Sequence, residues 1–306
     1  MPHRDSPRMN TKPASTALLY RWIRWSGLAL FALLVLLSCA DDQALPDAEQ
    51  EAAAAYRWVE LGPEGTALAR AVIAQGESCP AIQLDGDTQA MTLRSENPPP
   101  GFEEVQACEA VIPSGTTSAS IGEQALALPA ASPQKIVVVG DTGCRVKGDD
   151  VQNCDGADVD SLGPAWNFAQ VAAAIDAVEP DLIIHVGDYH YREYGTCGER
   201  CDQSTIGYTW TSWKADFFDP AQALLPEAPW VFIRGNHEDC GTDTTSARAW
   251  KGWFYFLDPH ALPADPWTWQ NCQTYTDPYR VPAGAQNILV MDTSEIPDDY
   301  AALISA

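Results

Sequence analysis

The most regular pattern along the chain is a set of three short apolar runs, each followed at once by a polar segment that contains glycine. The runs cover residues 135–139, 181–186 and 230–233. Between the first two, apolar residues recur at helical spacing over 167–178, and Pro180 ends that stretch. Strands that alternate with a helix predict an α/β unit built on a parallel sheet, with the three polar segments at one edge.

Two further patterns extend this unit. Trp210, Trp213 and Phe217 lie at helical spacing and predict a helix that packs its aromatic side onto the sheet. Residues 287–291 form a last apolar run that reads as a strand. The sequence therefore predicts one α/β domain over 135–306.

The part of the chain before this domain has a different pattern. Residues 56–128 contain short alternating runs, such as 81–84 and 116–121, which are separated by turn signals. The Asn-Pro-Pro-Pro-Gly sequence at 97–101 excludes a helix there and predicts a turn. We expect a small all-β, sandwich-like domain, joined to the α/β domain by a linker over 129–134.

The N-terminus has the features of an export signal. Arg21 and Arg24 precede an apolar stretch at 28–37, which is too short to cross a bilayer of about 30 Å as a helix. Positive charge followed by a short apolar segment is typical of a secretory signal peptide. Residues 1–38 are therefore predicted to be a signal peptide.

The end of this stretch adds a prediction about anchoring. The sequence Leu-Leu-Ser-Cys at 36–39 resembles a bacterial lipobox, in which Cys39 is lipidated and becomes the first mature residue. Ordinary signal peptidase cleavage and an uncleaved anchor are the alternatives. The acidic, Ala-rich stretch at 40–55 would then be a flexible tether. The expected location is exported, anchored to a membrane and facing the periplasm or the cell exterior.

The cysteine count agrees with export. Nine cysteines are present, and setting Cys39 aside leaves an even number. An even set in an oxidising compartment favours disulfides, whereas the absence of a Cys-x-x-Cys pair argues against a zinc site. Proximity along the chain favours four pairs, Cys79–Cys108, Cys144–Cys154, Cys197–Cys201 and Cys240–Cys272.

The charge of the chain limits its partners. The formal net charge is −24, and removal of residues 1–38, with five basic residues and one acid, makes it more negative. Such a surface repels nucleic-acid phosphates, so no nucleic-acid binding is expected. It also repels anionic substrates at long range, although bound metal cations can reverse that sign locally.

The three polar segments carry the candidate chemistry. They read Gly140-Asp141-Thr142-Gly143, Gly187-Asp188-Tyr189-His190-Tyr191 and Gly235-Asn236-His237-Glu238, at spacings of 47 and 48 residues. A binuclear metal site needs a carboxylate that bridges both ions and separate ligands on either side.

This requirement assigns a role to each segment. We expect Asp188 to bridge, Asp141 to bind the first metal and Asn236 the second. His237 would donate a proton to the leaving group or hold the phosphoryl group. The nucleophile would be a metal-bound hydroxide.

These segments resemble the first three blocks of the calcineurin-like metallophosphoesterases, and the resemblance implies that the α/β domain has a β-sandwich core with flanking helices. The spacing of Asp188 and Tyr191 is similar to that in the purple acid phosphatase branch, where a tyrosine ligates ferric iron. The resemblance implies that Asp141, Asp188 and Tyr191 hold the first metal, and that Asp188 and Asn236 hold the second. It also implies two metal ions, iron with zinc, manganese or a second iron, and small phosphate esters as substrates.

Other polar residues near the segments have less certain roles. Tyr189 and His190 compete with Tyr191 as ligands, and His190 could instead be an outer-shell group or lie on a surface loop. Arg234 could contact phosphate or support its loop through a salt bridge. We expect His185, inside an apolar strand, to be a core histidine, and His260 to be structural or exposed.

The sequence departs from the family after the third segment. The family's later blocks supply further imidazole ligands, but His260 is the one histidine that follows His237. We expect the α/β domain to be incomplete at its C-terminus. Two hypotheses follow, a metallophosphoesterase and an inactive remnant or noncatalytic surface lipoprotein.

Overall fold

The computed structural model describes residues 54–155, 162–241, 248–273 and 275–294. The predicted signal peptide, Cys39 and most of the predicted tether lie outside these residues. The last two residues of that tether already belong to the folded body, because Ala54 is buried and the Ala55 N–H donates to Val72 O at 2.9 Å.

The described chain is mainly strand, with short helices. The strands are β1 (Tyr56–Leu61), β2 (Ala67–Ala74), β3 (Ala81–Leu84), β4 (Asp87–Ala90), β5 (Thr92–Leu93), β6 (Val105–Ile112), β7 (Ala119–Ile121), β8 (Gln124–Ala125), β9 (Ile136–Val139), β10 (Val146–Gly148), β11 (Asp150–Val151), β12 (Leu182–His185), β13 (Arg192–Gly195), β14 (Trp230–Phe232), β15 (Tyr279–Ala283) and β16 (Gln286–Val290).

The α-helices are α1 (Phe168–Asp176), α2 (Trp210–Trp213), α3 (Asp219–Ala221) and α4 (Trp250–Gly252). Two π-helical turns, Lys214–Phe218 and Trp253–Leu257, continue α2 and α4, and 3₁₀ turns cover Pro63–Gly65, Gly198–Arg200, Gln203–Thr205, Asn236–Glu238 and Trp269–Asn271. None of the helices in the described ranges is long and apolar enough to cross a membrane.

A seven-stranded sheet forms the centre of the molecule, in the order β5-β6-β2-β1-β14-β12-β9. Strands β1, β14, β12 and β9 are parallel, and β1, β2, β6 and β5 pair antiparallel. The three strands predicted from the apolar runs, β9, β12 and β14, are therefore neighbours. Because they are parallel, their carboxyl ends lie at the same edge, as expected.

The structure differs from the separate domain expected over 56–128. Strands β1, β2, β5 and β6 belong to the central sheet, and β1 pairs with β14 where Glu60 lies opposite Trp230. The described residues, from Ala54 to Ser294, all belong to one compact unit. The turn predicted at 97–101 is present, since the Phe102 N–H donates to Pro99 O at 3.0 Å. Strand pairing, however, is a long-range contact that the local pattern does not encode.

One face of the central sheet carries the helices. Alternate residues of the strands point to this face, among them Trp58, Ile183 and Trp230, and pack against α1 and the two aromatic helical segments. Trp213 and Phe217 are fully buried there, which confirms the predicted helix–sheet packing.

The opposite face is covered by two smaller sheets, so the core is a β-sandwich with helices on one side. The four-stranded sheet β4-β3-β7-β8 packs its Ile82 and Ile121 against Val59 and Ala71 of the central sheet. The β15–β16 hairpin covers Leu182 and its neighbours in β1 and β14. The α/β fold with a β-sandwich core and flanking helices is confirmed.

All four predicted disulfides are present. They join Cys79 to Cys108, Cys144 to Cys154, Cys197 to Cys201 and Cys240 to Cys272. The second and third lie together in a small cluster with Val146, beside the three-stranded sheet β11-β10-β13.

Candidate metal centre

The three polar segments meet at the carboxyl edge of the central sheet. The Asp141 N–H donates to Gly187 O and the Thr142 N–H to Asp188 O, each at 3.0 Å, so the first two loops are joined through their backbones. The second and third loops are equally close. A Cβ added to Gly235 would lie 2.1 Å from the backbone N and a carboxylate oxygen of Asp188. Glycine is therefore required where these loops cross.

A second glycine has a conformational role. Gly187 has φ +104°, in the left-handed region, and a Cβ there would lie 2.5 Å from the Gly235 Cα. Asp141 and Asp188 also have positive φ values, +55° and +60°. Positive φ at residues other than glycine is uncommon, and it tends to cluster at functional sites.

Three oxygen atoms converge where these loops end. The Tyr191 hydroxyl lies 2.7 Å from Asp141 Oδ1 and 2.8 Å from Asp188 Oδ2. A phenol has one proton, so it can donate to only one of the two carboxylates at a time. Burial, followed by its hydrogen bonds to Asp141 and Asp188, raises the pKa of Tyr191 above its ordinary value. A cation among these oxygens would remove the conflict, because it favours the phenolate.

The oxygen donors at this edge of the sheet meet part of the requirements of a metal site. The described residues include no group of three or more His, Cys, Asp and Glu side chains arranged to hold an ion. Two carboxylates and a phenol do form a compact set of hard oxygen donors, which fits one cation that prefers oxygen ligands. Asp141, Asp188 and Tyr191 are thus brought together as the sequence predicts.

Asn236 lies beside this cluster. It begins the 3₁₀ turn Asn236–Glu238, and its side chain is exposed. The next residue, His237, donates its backbone N–H to Asp188 Oδ1 at 3.0 Å. Asn236 is therefore adjacent in sequence to a residue that contacts Asp188, and it could hold a second ion together with Asp188.

His237 is held by a buried carboxylate. Its Nδ1 lies 2.6 Å from Glu193 Oε1, and its ring centroid lies 4.1 Å from that of Tyr191. Glu193 also pairs with Lys147 Nζ at 3.0 Å. Burial opposes ionisation of Glu193, but His237 and Lys147 together lower its pKa to about 2. The imidazole therefore lies between the Glu193 carboxylate and the Tyr191 ring.

Glu238 supports the loops from below. It is fully buried and accepts the backbone N–H groups of Asp188, Tyr189 and His190 at 3.0–3.1 Å and that of Gly235 at 3.2 Å. Burial, followed by the charge of Asp188, raises its pKa to about 8, while the N–H donors favour the charged form. Glu238 fixes the backbone that presents Asp188.

His185 joins the first loop to the second, and it is a core histidine as expected. Burial lowers its pKa to about 3, so the ring is neutral. Its Nδ1 accepts the Gly187 N–H at 3.2 Å, which leaves Nε2–H to donate to Thr142 Oγ1 at 2.9 Å. The ring stacks on Tyr189 with centroids 3.9 Å apart.

The structure turns both candidate substrate or outer-shell residues, His190 and Arg234, into the protein interior. His190 is fully buried rather than on a surface loop, and its Nε2 lies 2.9 Å from Gly207 O and Ser212 Oγ. Arg234 is buried and pairs with Asp292 at 2.7 Å, while its Nη1 donates to Gln273 O. The structure favours the salt-bridge alternative for Arg234, because its Nε donates to Asp292 Oδ2 at 2.8 Å.

Tyr189 is also excluded as a ligand. Its hydroxyl donates to Ile233 O at 2.9 Å inside the aromatic core. Sequence reasoning missed Glu193, Glu238 and Lys147. Glu238 was within a recognised segment, and Glu193 lies two residues after Tyr191, but no local pattern shows that either one points toward the site.

A family model matches more than half of the chain. Residues 134–299 match the family model of the calcineurin-like phosphoesterases. No curated protein matches the chain. Among solved structures, a purple acid phosphatase from yellow lupin (Lupinus luteus) seeds is similar, with 12% identity and a TM-score of 0.46, over 83% of this chain and 48% of that one. A maltogenic amylase from S. marinus matches with 14% identity and a TM-score of 0.17, over 59% and 31%.

The chain thus spans about half the length of the lupin enzyme. The family match covers the three loops, the strands that carry them, and Glu193 and Glu238, which hold them. The chain belongs to the calcineurin-like phosphoesterase family.

Proposed function

We propose that this protein hydrolyses small phosphate esters with the help of metal ions bound at the carboxyl edge of the central sheet. The observation that carries the proposal is the convergence of the Asp141, Tyr191 and Asp188 oxygens within 2.7–2.8 Å contacts. Such a set of anionic oxygens is stable when it holds a cation. His237, next to it, supplies a proton donor.

The residues have distinct roles in this proposal. Asp141, Asp188 and Tyr191 would hold the first ion, and Asp188 and Asn236 would hold the second. When bound, the ions neutralise the phosphate charge and activate water as a nucleophile. Proton transfer to the leaving group is assigned to a side chain of the protein.

His237 performs the proton transfer in this proposal. Its Nδ1 faces Glu193, so Nε2 is the nitrogen that is available to the substrate. It would donate a proton to the leaving oxygen as the ester bond breaks.

The proposed ions are iron with zinc, manganese or a second iron. The support is Tyr191, because the resemblance to the purple acid phosphatase branch assigns its phenol to ferric iron. A tyrosine-bound ferric ion gives the protein a visible absorption band. That band should disappear in Tyr191→Phe, and a colourless protein that retains activity would contradict the assignment of iron.

The decisive experiment measures metal content and hydrolysis of an aryl phosphate by the full chain. Asp188→Asn should lower kcat by at least about 100-fold, because loss of a ligand should cost no less than loss of a residue that merely orients one. The matched control is Asp87→Asn, an exposed position on β4, which should behave as wild type. Metal-free, inert wild-type protein would instead favour the noncatalytic alternative.

We also propose that the protein is exported and anchored through a lipid on Cys39. The support is the apolar stretch at 28–37 and the lipobox-like sequence that follows it. Cys39→Ser should move the protein from the detergent phase to the aqueous phase in a phase-partition assay. Unchanged partitioning would contradict lipidation.

A further inference from the structure

Two basic residues, Arg145 just before β10 and Lys147 within it, lie beside the candidate metal centre. Val146, between them, is fully buried among the disulfides Cys144–Cys154 and Cys197–Cys201. The strand pairing is irregular between Val146 and Lys147, so the direction of each cation follows from its own contacts rather than from strand alternation.

Arg145 is held in place from three sides. Its backbone N–H donates to Gln152 Oε1, and its carbonyl accepts the Gln152 N–H, both at 2.8 Å. Its Nε donates to Asp150 Oδ2 at 2.5 Å. The guanidinium lies over the Tyr191 ring, with Cζ 5.8 Å from the ring centroid.

The outer nitrogens of Arg145 remain available. No described residue accepts a hydrogen bond from Nη1 or Nη2, and the side chain is 37% exposed. The positive charge of Arg145 is therefore separated from the oxygens of the candidate metal centre by the Tyr191 ring. An arginine that is anchored through Nε presents its two outer N–H₂ groups as a fork for a carboxylate or phosphate.

Lys147 contacts the candidate site through a different residue, Glu193. Its Nζ lies 3.0 and 3.2 Å from the two oxygens of Glu193, whose Oε1 contacts His237 Nδ1 at 2.6 Å. The side chain is 32% exposed, so the ammonium has donors left for solvent or a ligand. Lys147 therefore carries a positive charge to the rim of the site beside the proton donor.

The other arginines of the core show why this pair is unusual. Arg70, Arg94, Arg192 and Arg234 are buried, and each is engaged by carboxylates of the protein. The chain has 18 basic and 42 acidic residues. Within its described part, Arg145 and Lys147 each pair with a carboxylate as well, Asp150 and Glu193 respectively. Arg145 and Lys147 are partly exposed and adjacent to the catalytic edge.

We propose that Arg145 and Lys147 bind a second anionic group on the substrate, a carboxylate or a phosphate located next to the phosphate that is hydrolysed. The identity of the hydrolysed group rests on the function proposed above. The pair would select small bis-anionic esters against esters with a neutral leaving group. Binding at the pair would also offset the long-range repulsion from the acidic surface.

The test is direct binding, which does not depend on turnover. Calorimetry on the full chain with Mn²⁺ would compare phenylphosphonate, 3-carboxyphenylphosphonate and 1,3-phenylenebisphosphonate, none of which can be hydrolysed at the P–C bond by this chemistry. We expect wild-type protein to bind the two bis-anionic probes about tenfold more tightly than phenylphosphonate, since one charge-assisted hydrogen-bonded pair is worth about that factor.

The variants decide whether the pair is responsible. Arg145→Gln should reduce that tenfold preference to about twofold, and Arg145→Gln/Lys147→Gln should abolish it. Lys135→Gln, at the opposite end of β9, removes the same charge and should keep the preference. The relative affinity of the carboxylate and bisphosphonate probes tells which anion is preferred.

Several outcomes would overturn the proposal. The proposal is wrong if wild-type protein binds all three probes with equal affinity. It is also wrong if Arg145→Gln lowers the affinity for all three probes by the same factor. Failure of the proposed function looks different, because wild-type protein would then leave aryl phosphates unhydrolysed. In that case, selective binding that still depends on Arg145 would stand on its own.

Discussion

At the scale of single residues, the proposed site depends on how a few polar side chains restrain one another. Asp188 illustrates this. Its Oδ2 meets the Tyr191 hydroxyl, its Oδ1 accepts the His237 N–H, and its own N–H donates to Glu238. One carboxylate thus connects the second loop to the third. Substitutions around it should therefore affect catalysis more than folding.

Glu193 gives the sharpest prediction of this kind. Glu193→Gln removes the charge that faces His237 but keeps the shape, so kcat should fall by about 10- to 100-fold with little change in KM. Glu193→Asp should restore part of the rate, because the charge returns. The matched control is Glu123→Gln, an exposed position. A loss that appears mainly in KM would contradict a positioning role.

We expect His260, which lies outside the candidate metal centre, to make the stability of the fold depend on pH. Its Nδ1 lies 2.8 Å from Asp258 Oδ1, and this hydrogen bond raises the pKa of His260 in the folded state. Asp277 also raises this pKa, whereas Arg94 and burial lower it. Because the folded pKa is raised, the stabilisation is complete below the unfolded pKa of about 6.5 and is lost as pH rises through the folded value.

The measurement is urea unfolding of wild type and His260→Gln between pH 5 and 9. At pH 5.5 the variant should be less stable by about 1 kcal/mol, since the pair is partly exposed. The difference should shrink toward zero by pH 9. Asp258→Asn should remove the same pH dependence. A difference that grows with pH would contradict the assignment.

At the scale of elements, the loops after β12 and β14 are packed against each other without room for a side chain. Gly235→Ala would place a methyl group 2.1 Å from Asp188. The loops must separate to accept it, which should cost about 1–3 kcal/mol of stability and displace the carboxylate. We expect metal affinity and hydrolysis to fall together.

Gly76→Ala is the control for this substitution. Its Cβ would meet nothing within 4 Å, although its φ of +87° makes alanine strained there. Thermal unfolding should show a loss of stability in both variants, and metal titration should show a defect in Gly235→Ala alone. If both variants bind metal normally, the close loop packing has no functional role.

At the scale of the whole molecule, the Cys79–Cys108 disulfide links the central sheet to the four-stranded sheet. Cys108 lies on β6 of the central sheet, and Cys79 precedes β3 of the four-stranded sheet. The bridge closes a loop with a sequence separation of 29, which in the chain-entropy treatment is worth roughly 3–4 kcal/mol.

The double variant Cys79→Ala/Cys108→Ala should therefore have a free energy of unfolding that is lower by that amount, and its urea midpoint should fall accordingly. Aryl phosphate hydrolysis by the folded variant should be unchanged, because the bridge packs on the face opposite the helices and away from the loops. A stable variant with reduced turnover would show that the four-stranded sheet influences the site.

Much of the fold could be read from the sequence, because the relevant signals are local. Strands β9, β12, β14 and β16 agree with their predicted ranges to within one residue at either end, and α1 agrees to within two. The disulfides followed from proximity along the chain. Each of these features depends on residues close in sequence, where spacing and side-chain type are sufficient.

The candidate site was only partly readable for the same reason. Asp141, Asp188, Asn236 and His237 follow from loops at the ends of parallel strands. The direction of each remaining side chain depends on contacts between distant segments. His190 and Arg234 turn into the protein because Ser212 and Asp292 meet them there, and Glu193 reaches His237 because β13 pairs with β10.

The sequence by itself determined the candidate ligand types, the strands that present them and the covalent bridges. Only the tertiary structure decided that β1 continues the central sheet, that the Tyr191 hydroxyl rather than that of Tyr189 contacts the two aspartates, and that Arg145 lies over the Tyr191 ring. The physical reason is that backbone conformation and covalent proximity follow from local sequence, whereas side-chain partners are set by packing between segments far apart in the chain.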